Sequence, residues 1–343
     1  MFLSLKKRLL EPLHVLNSSL QELRLALAAL TAEVGVVHRE ADSLRVSLEE
    51  VRQVVSREQA ERLAHDLSIR QQFATILMHM DELTLSQDPG QVYFKGLNAV
   101  GVLNYQNDVV SGERHFLTRF LEQYPTAVVL DVGANIGQYA QLVRELGPQT
   151  VVHSFEPHPA AFAKLACSAA KYGITAHPFA LGDARCEIEL FDYADEAGSQ
   201  HASVHREVIE QIHRRPAQSH KVRSETLDAV ADELGLTRIG LLKIDTEGSE
   251  LAVLRGARRL LDGGAIDVIQ FEFNEMNVVS RVFMKDFFAL LPEYRIYRLL
   301  GAGAIEFQTY DPTFMEVFAF QNIACIRRDL EPFWIHAAGS GTL

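Results

Sequence analysis

Hydrophobic positions alternate strictly by four and three over the first part of the chain, at Leu16, Leu20, Leu23, Leu27, Leu30, Val34, Val37, Ala41, Leu44, Leu48, Val51 and Val55. This heptad seam predicts a long helix whose narrow stripe needs another helix to cover it, hence a coiled coil and a homo-oligomer. Gly35 is the one helix-weakening residue inside it, at a cost of about 1 kcal/mol relative to alanine. The register fails at Glu58, Arg62 and His65, then resumes in a new phase at Ile69, Phe73, Ile76, Met80 and Leu83, as at a stutter or short hinge. The Gln87-Asp88-Pro89-Gly90 cluster reads as the end of the helical region. Residues 87–125 then read as an ordered connector covering one edge of the domain after it, with a helical run at 116–124.

From Val128 the pattern changes to short apolar runs separated by helical ones. Residues 128–131, 151–155, 174–179, 241–244 and 266–273 read as buried strands. Residues 160–172 have helical spacing, as do Leu251, Leu254 and Ala257 after Gly248. Such alternation predicts an α/β domain with a mostly parallel sheet. The runs 294–300 and 321–326 have no crossover helix of normal length between them, so the final pair is expected to be antiparallel. Residues 187–191 alternate as an edge strand would. Residues 192–223 are the least regular part, expected to be a lid or substrate loop. That loop holds His201, His205, His213 and His220, whose separations match no common set of metal ligands. The expected organisation is a segment 1–12, a coiled-coil helix 13–86, a connector 87–125, an α/β domain 126–330 and a tail 331–343.

The chemistry concentrates where strands end. Val128, Val129 and Leu130 run into Asp131-Val132-Gly133-Ala134-Asn135-Ile136-Gly137, a strand turning tightly onto a helix. Gly133 lets the backbone approach a ligand and Gly137 lets the new helix pack closely. One strand later comes Glu156, followed by Pro157. A carboxylate there is the usual partner of a ribose's two hydroxyls, so an adenine nucleoside is the ligand class. Two features favour S-adenosylmethionine over NAD: Asp131 suits a cationic ligand, and the G-x-G-x-x-G turn of a pyrophosphate site is missing. A second dense stretch, Lys243-Ile244-Asp245-Thr246-Glu247-Gly248-Ser249-Glu250, again ends a buried strand in carboxylates.

Composition narrows the picture. Of 343 residues 48% are hydrophobic, enough for a packed core, and no stretch reaches transmembrane length. A net charge of −12 argues against nucleic acid as a general partner. Cys167, Cys186 and Cys325 are odd in number and widely spaced, which fits a reducing compartment and a cytoplasmic protein. The basic start, Lys6-Lys7-Arg8 among leucines, has no signal-peptide core; it reads as a frayed start, with contact to a membrane surface as the rival reading.

Five motifs occur in order: Asp131 to Gly137, Phe155-Glu156-Pro157, Ala180-Leu181-Gly182-Asp183, Thr226-Leu227-Asp228 and Lys243 to Glu250. Together they resemble the FkbM family of S-adenosylmethionine-dependent methyltransferases, over residues 128–330. The resemblance implies a Rossmann-like class I methyltransferase fold, a mostly parallel seven-stranded sheet with an antiparallel final strand. It implies methylation of hydroxyl oxygens on a sugar, glycan or natural product. Carried over by motif, Asp131, Gly133, Ala134, Asn135, Gly137, Glu156 and Pro157 would form the cofactor site, with Ala180 and Leu181 flanking the adenine. Asp245 and Glu247 are the candidates for taking the acceptor's proton. A divalent ion is the rival device: Asp245, Glu272 and Asn274 would offer oxygen ligands suited to Mg²⁺. Two other readings stay open, a catalytically weak interaction protein working through its coiled coil and an NAD-dependent oxidoreductase.

Overall fold

The computed structural model describes residues 88–195, 198–199 and 201–333. The heptad seam, the second series from Ile69 to Leu83 and the basic start lie outside the described residues. Eleven strands alternate with helices: β1 Val128–Val132, β2 Val151–Phe155, β3 Thr175–His177, β4 Ala180–Leu181, β5 Cys186–Tyr193, β6 Ala217–Glu225, β7 Ile239–Ile244, β8 Ile266–Phe273, β9 Tyr294–Leu300, β10 Gly303–Phe307 and β11 Gln321–Arg327. Eight form one sheet in the order β10-β9-β11-β8-β7-β1-β2-β3. The run from β3 to β8 is parallel, and β11 is antiparallel to both β8 and β9. This is the expected mostly parallel α/β sheet with an antiparallel final strand.

The sheet exceeds the expected seven strands by β10. Leu300 pairs with Gly303, so only Gly301 and Ala302 form the turn, and β10 folds back on β9 as a hairpin at the edge. The expected irregular stretch 192–223 also differs. Its second half is β6, paired with β5 from Cys186↔Ser224 to Tyr193↔Ala217, and β4 completes a separate three-stranded sheet. The sequence of β6 hides it, since Val222 is its only large apolar residue and most of the strand faces water.

Both faces of the large sheet are covered, because alternate residues of each parallel strand point to opposite sides. Leu130, Leu242 and Ile269 face one cluster, with Leu254 and Phe287. Val129, Leu241 and Val268 face the other, where the helix Glu113–Gln123 lays down Phe116, Leu117, Phe120 and Leu121. Each such fully buried side chain contributes roughly 1.5–3 kcal/mol. The stretch expected to be a connector along an edge thus contains a helix packed on the sheet's face. Its Asp88-Pro89 pair opens a helix, Pro89–Ala99, rather than closing one: Asp88 caps Gly90 N and Pro89 takes the first turn, where its missing N–H is no loss. Among the described residues, no helix is long and apolar enough to cross a membrane.

Candidate active site

The carboxyl ends of β1, β2 and β7 meet the small sheet around one cleft. It holds about 930 Å³ of non-protein space, its open mouth included. Gly133, Asn135, Glu156, Pro157, Ala180 and Leu181 line it, as do Asp245 and Glu247. At Gly133 φ is +79°, and a Cβ would stand 1.7 Å from the Asp245 carbonyl oxygen. Only glycine lets the β1 turn lie this close to the end of β7. Gly133 N and Ala134 N donate to the Phe155 carbonyl, each at 3.0 Å.

Glu156 fixes the same turn from the side. Its Oε2 accepts from Asn135 N at 2.8 Å and its Oε1 from His158 N at 2.7 Å. Burial pushes its carboxyl up to about 7, partly offset by those two backbone N–H groups, with the charges of Asp131 and Asp192 adding to the rise. Each oxygen keeps a lone pair for a ligand hydroxyl. Gly137 lies elsewhere. A Cβ there would come within 2.8 Å of Leu165 Cδ1, so it serves the packing of the next helix rather than the cleft.

Asp131 and Ala134 do not line the cleft either. Asp131 is 1% exposed and sits in a polar row across the sheet, between Ser154 and Lys243, with Gln270 beyond. Lys243 Nζ donates to Asp245 Oδ2 at 2.9 Å and lies 5.1 Å from the centre of the Tyr139 ring. Tyr139 OH donates to Gln270 Oε1 at 2.7 Å, and Gln270 Nε2 donates to Glu113 Oε1 at 2.8 Å. One buried cation therefore serves four carboxylates, those of Asp245, Glu113, Glu272 and Asp131. Burial alone would lower the lysine's pKa; the four carboxylates together raise it above the ordinary value. Burial in turn pushes the Asp131 carboxyl up to about 6, against the pull of Lys243.

Asp245, Glu272 and Asn274 lie near one another at the ends of β7 and β8, with an oxygen of each engaged by a protein partner. Asp245 Oδ2 is taken by Lys243. Asn274 turns its amide Nδ2 toward Glu272 Oε2 at 3.4 Å, while its Oδ1 accepts from Met276 N at 3.0 Å and starts a helix. Among the described residues, no three His, Cys, Asp or Glu side chains gather as a metal-holding group.

The loop after β7 is built around a buried carboxylate. Glu250 Oε1 accepts from Thr246 N, Thr246 Oγ1 and Gly248 N, which bends the backbone so that Glu247 takes a φ of +54°. Glu247 then reaches Nδ1 of His201 at 3.1 Å, and its carbonyl accepts from Ser203 Oγ at 2.7 Å. His201 comes from the stretch expected to be a lid. That stretch is pinned by the fully buried Asp192, whose carboxylate accepts from Tyr193 N, Gly198 N, Ser199 N and Ser199 Oγ. Asn135 Nδ2 donates to the Ser199 carbonyl at 2.9 Å, joining the glycine turn to the lid. The imidazoles of His201 and His213 lie 4.4 Å apart centre to centre, packed against Tyr193. Asp192 and Ser199 are site-building residues that sequence reasoning passed over, and it weighed His201 only as one histidine of a loop. The run Ser199 to Ser203 was their only local signal, and its meeting with Glu247 depends on the β5–β6 pairing.

Residues 131–295 match the model of the methyltransferase FkbM domain. The 31-O-demethyl-FK506 methyltransferase FkbM of Streptomyces tacrolimicus is 31% identical over 170 residues, covering 42% of this chain and 64% of that protein. Methyltransferase 1 of Beauveria bassiana is 30% identical over 145 residues, covering 37% and 57%. The AMB antimetabolite synthetase AmbE of Pseudomonas aeruginosa is 32% identical over 162 residues, covering 38% of this chain and 8% of that much longer protein. The chain spans less than two thirds of each of these relatives. Through residues 131–295 the chain carries a methyltransferase FkbM domain.

Proposed function

We propose that this chain transfers a methyl group from S-adenosylmethionine to a hydroxyl oxygen of a sugar, glycan or other natural product. The observation that carries the reading is the meeting, in one cleft, of the Gly133 turn and Glu156 with Glu247 and Asp245. The residues suit the cofactor. Glu156 offers two carboxylate oxygens to ribose hydroxyls, and Phe155, Leu181, Ile188 and Leu190 give an apolar wall for an adenine. The excess of carboxylates around Lys243 favours a ligand of net positive charge. When bound, the cofactor supplies an electrophilic methyl on a sulfonium. The protein's part is to align the acceptor oxygen with it and to take the proton.

Of the two candidates for that proton, Glu247 is the better placed. Asp245 Oδ2 is engaged by Lys243 Nζ at 2.9 Å and orients that lysine. Burial raises the Glu247 carboxyl to about 7, with His201 pulling it down and Asp245 pushing it further up. A base near neutral pH is the most effective kind at neutral pH. The name of the Streptomyces relative describes methylation of an oxygen, which supports the same acceptor chemistry here.

The test is transfer of a labelled methyl group to a panel of monosaccharides, glycans and hydroxylated natural products, with the product located by mass spectrometry. The expected outcome is an O-methyl product, and a loss of about 10²–10⁴-fold in turnover for Glu247→Gln with S-adenosylhomocysteine affinity retained. A product methylated at nitrogen, or full turnover in the variant, contradicts it.

A further inference from the structure

The pair formed by Glu247 and His201 has two ends. Glu247 is 12% exposed in its side chain, and its Oε2 is buried with no hydrogen-bond partner, while its Oε1 meets Nδ1 of His201. The imidazole is 43% exposed, so the pair runs from the interior of the cleft to solvent. The groups around Glu247 are His201, Asp245, Glu250 and Glu272, with Lys243 paired to Asp245. Those around His201 are Glu247, Asp245, Asp192, His213 and Tyr193, with the Arg215 guanidinium 4.4 Å from the centre of the Tyr193 ring. The hydrogen bond to Glu247 raises the imidazole's pKa, and burial raises that of the carboxyl. Both shifts hold a proton on the pair at a pH where a free carboxyl would have lost one.

We propose that Glu247 and His201 share one proton in the cofactor-free protein, release it when the cationic methyl donor enters the cleft, and take up the acceptor's hydroxyl proton as the donor loses its charge. The proposal rests on the reading of the cleft as an S-adenosylmethionine site. Protonated, the pair is neutral overall; deprotonated, it carries one negative charge opposite the donor's positive one. During transfer a lone pair of the acceptor oxygen forms the new O–C bond, and the electrons of the S–C bond return to sulfur. The acceptor's proton passes to the Glu247 carboxylate and its imidazole partner. The site ends with a neutral thioether beside a neutral pair, and the exposed edge of His201 is the route by which the proton leaves when the next donor enters.

Titration calorimetry of the full-length chain near neutral pH, in two buffers of unlike ionisation enthalpy, counts the protons exchanged on binding. S-adenosylmethionine should release about half a proton more than S-adenosylhomocysteine, as expected of a pair titrating near the working pH. That excess should be lost in Glu247→Gln and in His201→Asn. Equal proton counts for the two ligands in the wild type would overturn the proposal, and so would an excess that survives both substitutions. Binding of both ligands with equal counts removes this inference alone, whereas failure of either ligand to bind removes the reading of the cleft with it.

Discussion

Glu156 and Glu247 line the same cleft, and burial raises both carboxyls to about 7, yet their partners assign them different work. Glu156 is tied by two backbone N–H groups and holds a turn in place. Glu247 is tied by one imidazole and keeps a free oxygen. The first is built to hold a ligand and the second to exchange a proton. Glu156→Ala should therefore weaken S-adenosylhomocysteine binding by roughly 2 kcal/mol, about 30-fold, the scale of lost hydrogen bonds to a charged group. Equilibrium dialysis checks this, and unchanged affinity would contradict the ribose assignment. At this scale the positions of Gly133, Asn135, Glu156 and Pro157 beside the cleft were legible, because the spacing of each strand and its turn is fixed locally. Ala134 and Gly137, on the same turn as Gly133, lie off the cleft. Asp131 belongs to a row that only the register of β1 against β7 reveals, and His201 to a loop shaped by Asp192.

Between elements, the polar row across β1, β7 and β8 sets the balance of charge beneath the cleft. Lys243 lowers the carboxyls of Glu113, Asp131 and Glu272, each of which burial pushes up. Lys243→Met leaves those carboxylates without their cation and should cost about 3–5 kcal/mol. The sign of its pH dependence comes from linkage. Without the lysine the folded-state carboxyls move further above their unfolded values, so the folded protein binds extra protons, and stability falls as pH rises through that interval. The deficit measured by thermal denaturation should be smaller near about pH 5 than near about pH 8. A deficit that grows as pH falls would contradict this role for the row. The strands of this row were legible from their apolar runs. β10 and β6 were not, because one comes after a two-residue turn and the other is mostly polar, so neither shows a buried alternation of its own.

Across the whole molecule, the domain of residues 131–295 occupies less than half of a 343-residue chain, and the heptad seam lies well before it. Twelve seam positions on one helix stay wet unless another helix covers them, and forty helical residues would extend about 60 Å. We propose a homo-oligomer held through residues 13–86, suited to a long or repeating acceptor. Light scattering of the intact chain at micromolar concentration should report an oligomer, and removal of residues 1–86 should give a monomer that still binds cofactor; a monomeric intact chain would contradict the seam's role. The central claim is narrower, that the cleft beside Gly133 and Glu156 takes the methyl donor. Its most direct test is calorimetry of the intact chain with S-adenosylhomocysteine and, separately, with NAD. The expected result is saturable binding of S-adenosylhomocysteine and no heat with NAD; binding of NAD with no response to S-adenosylhomocysteine would contradict it.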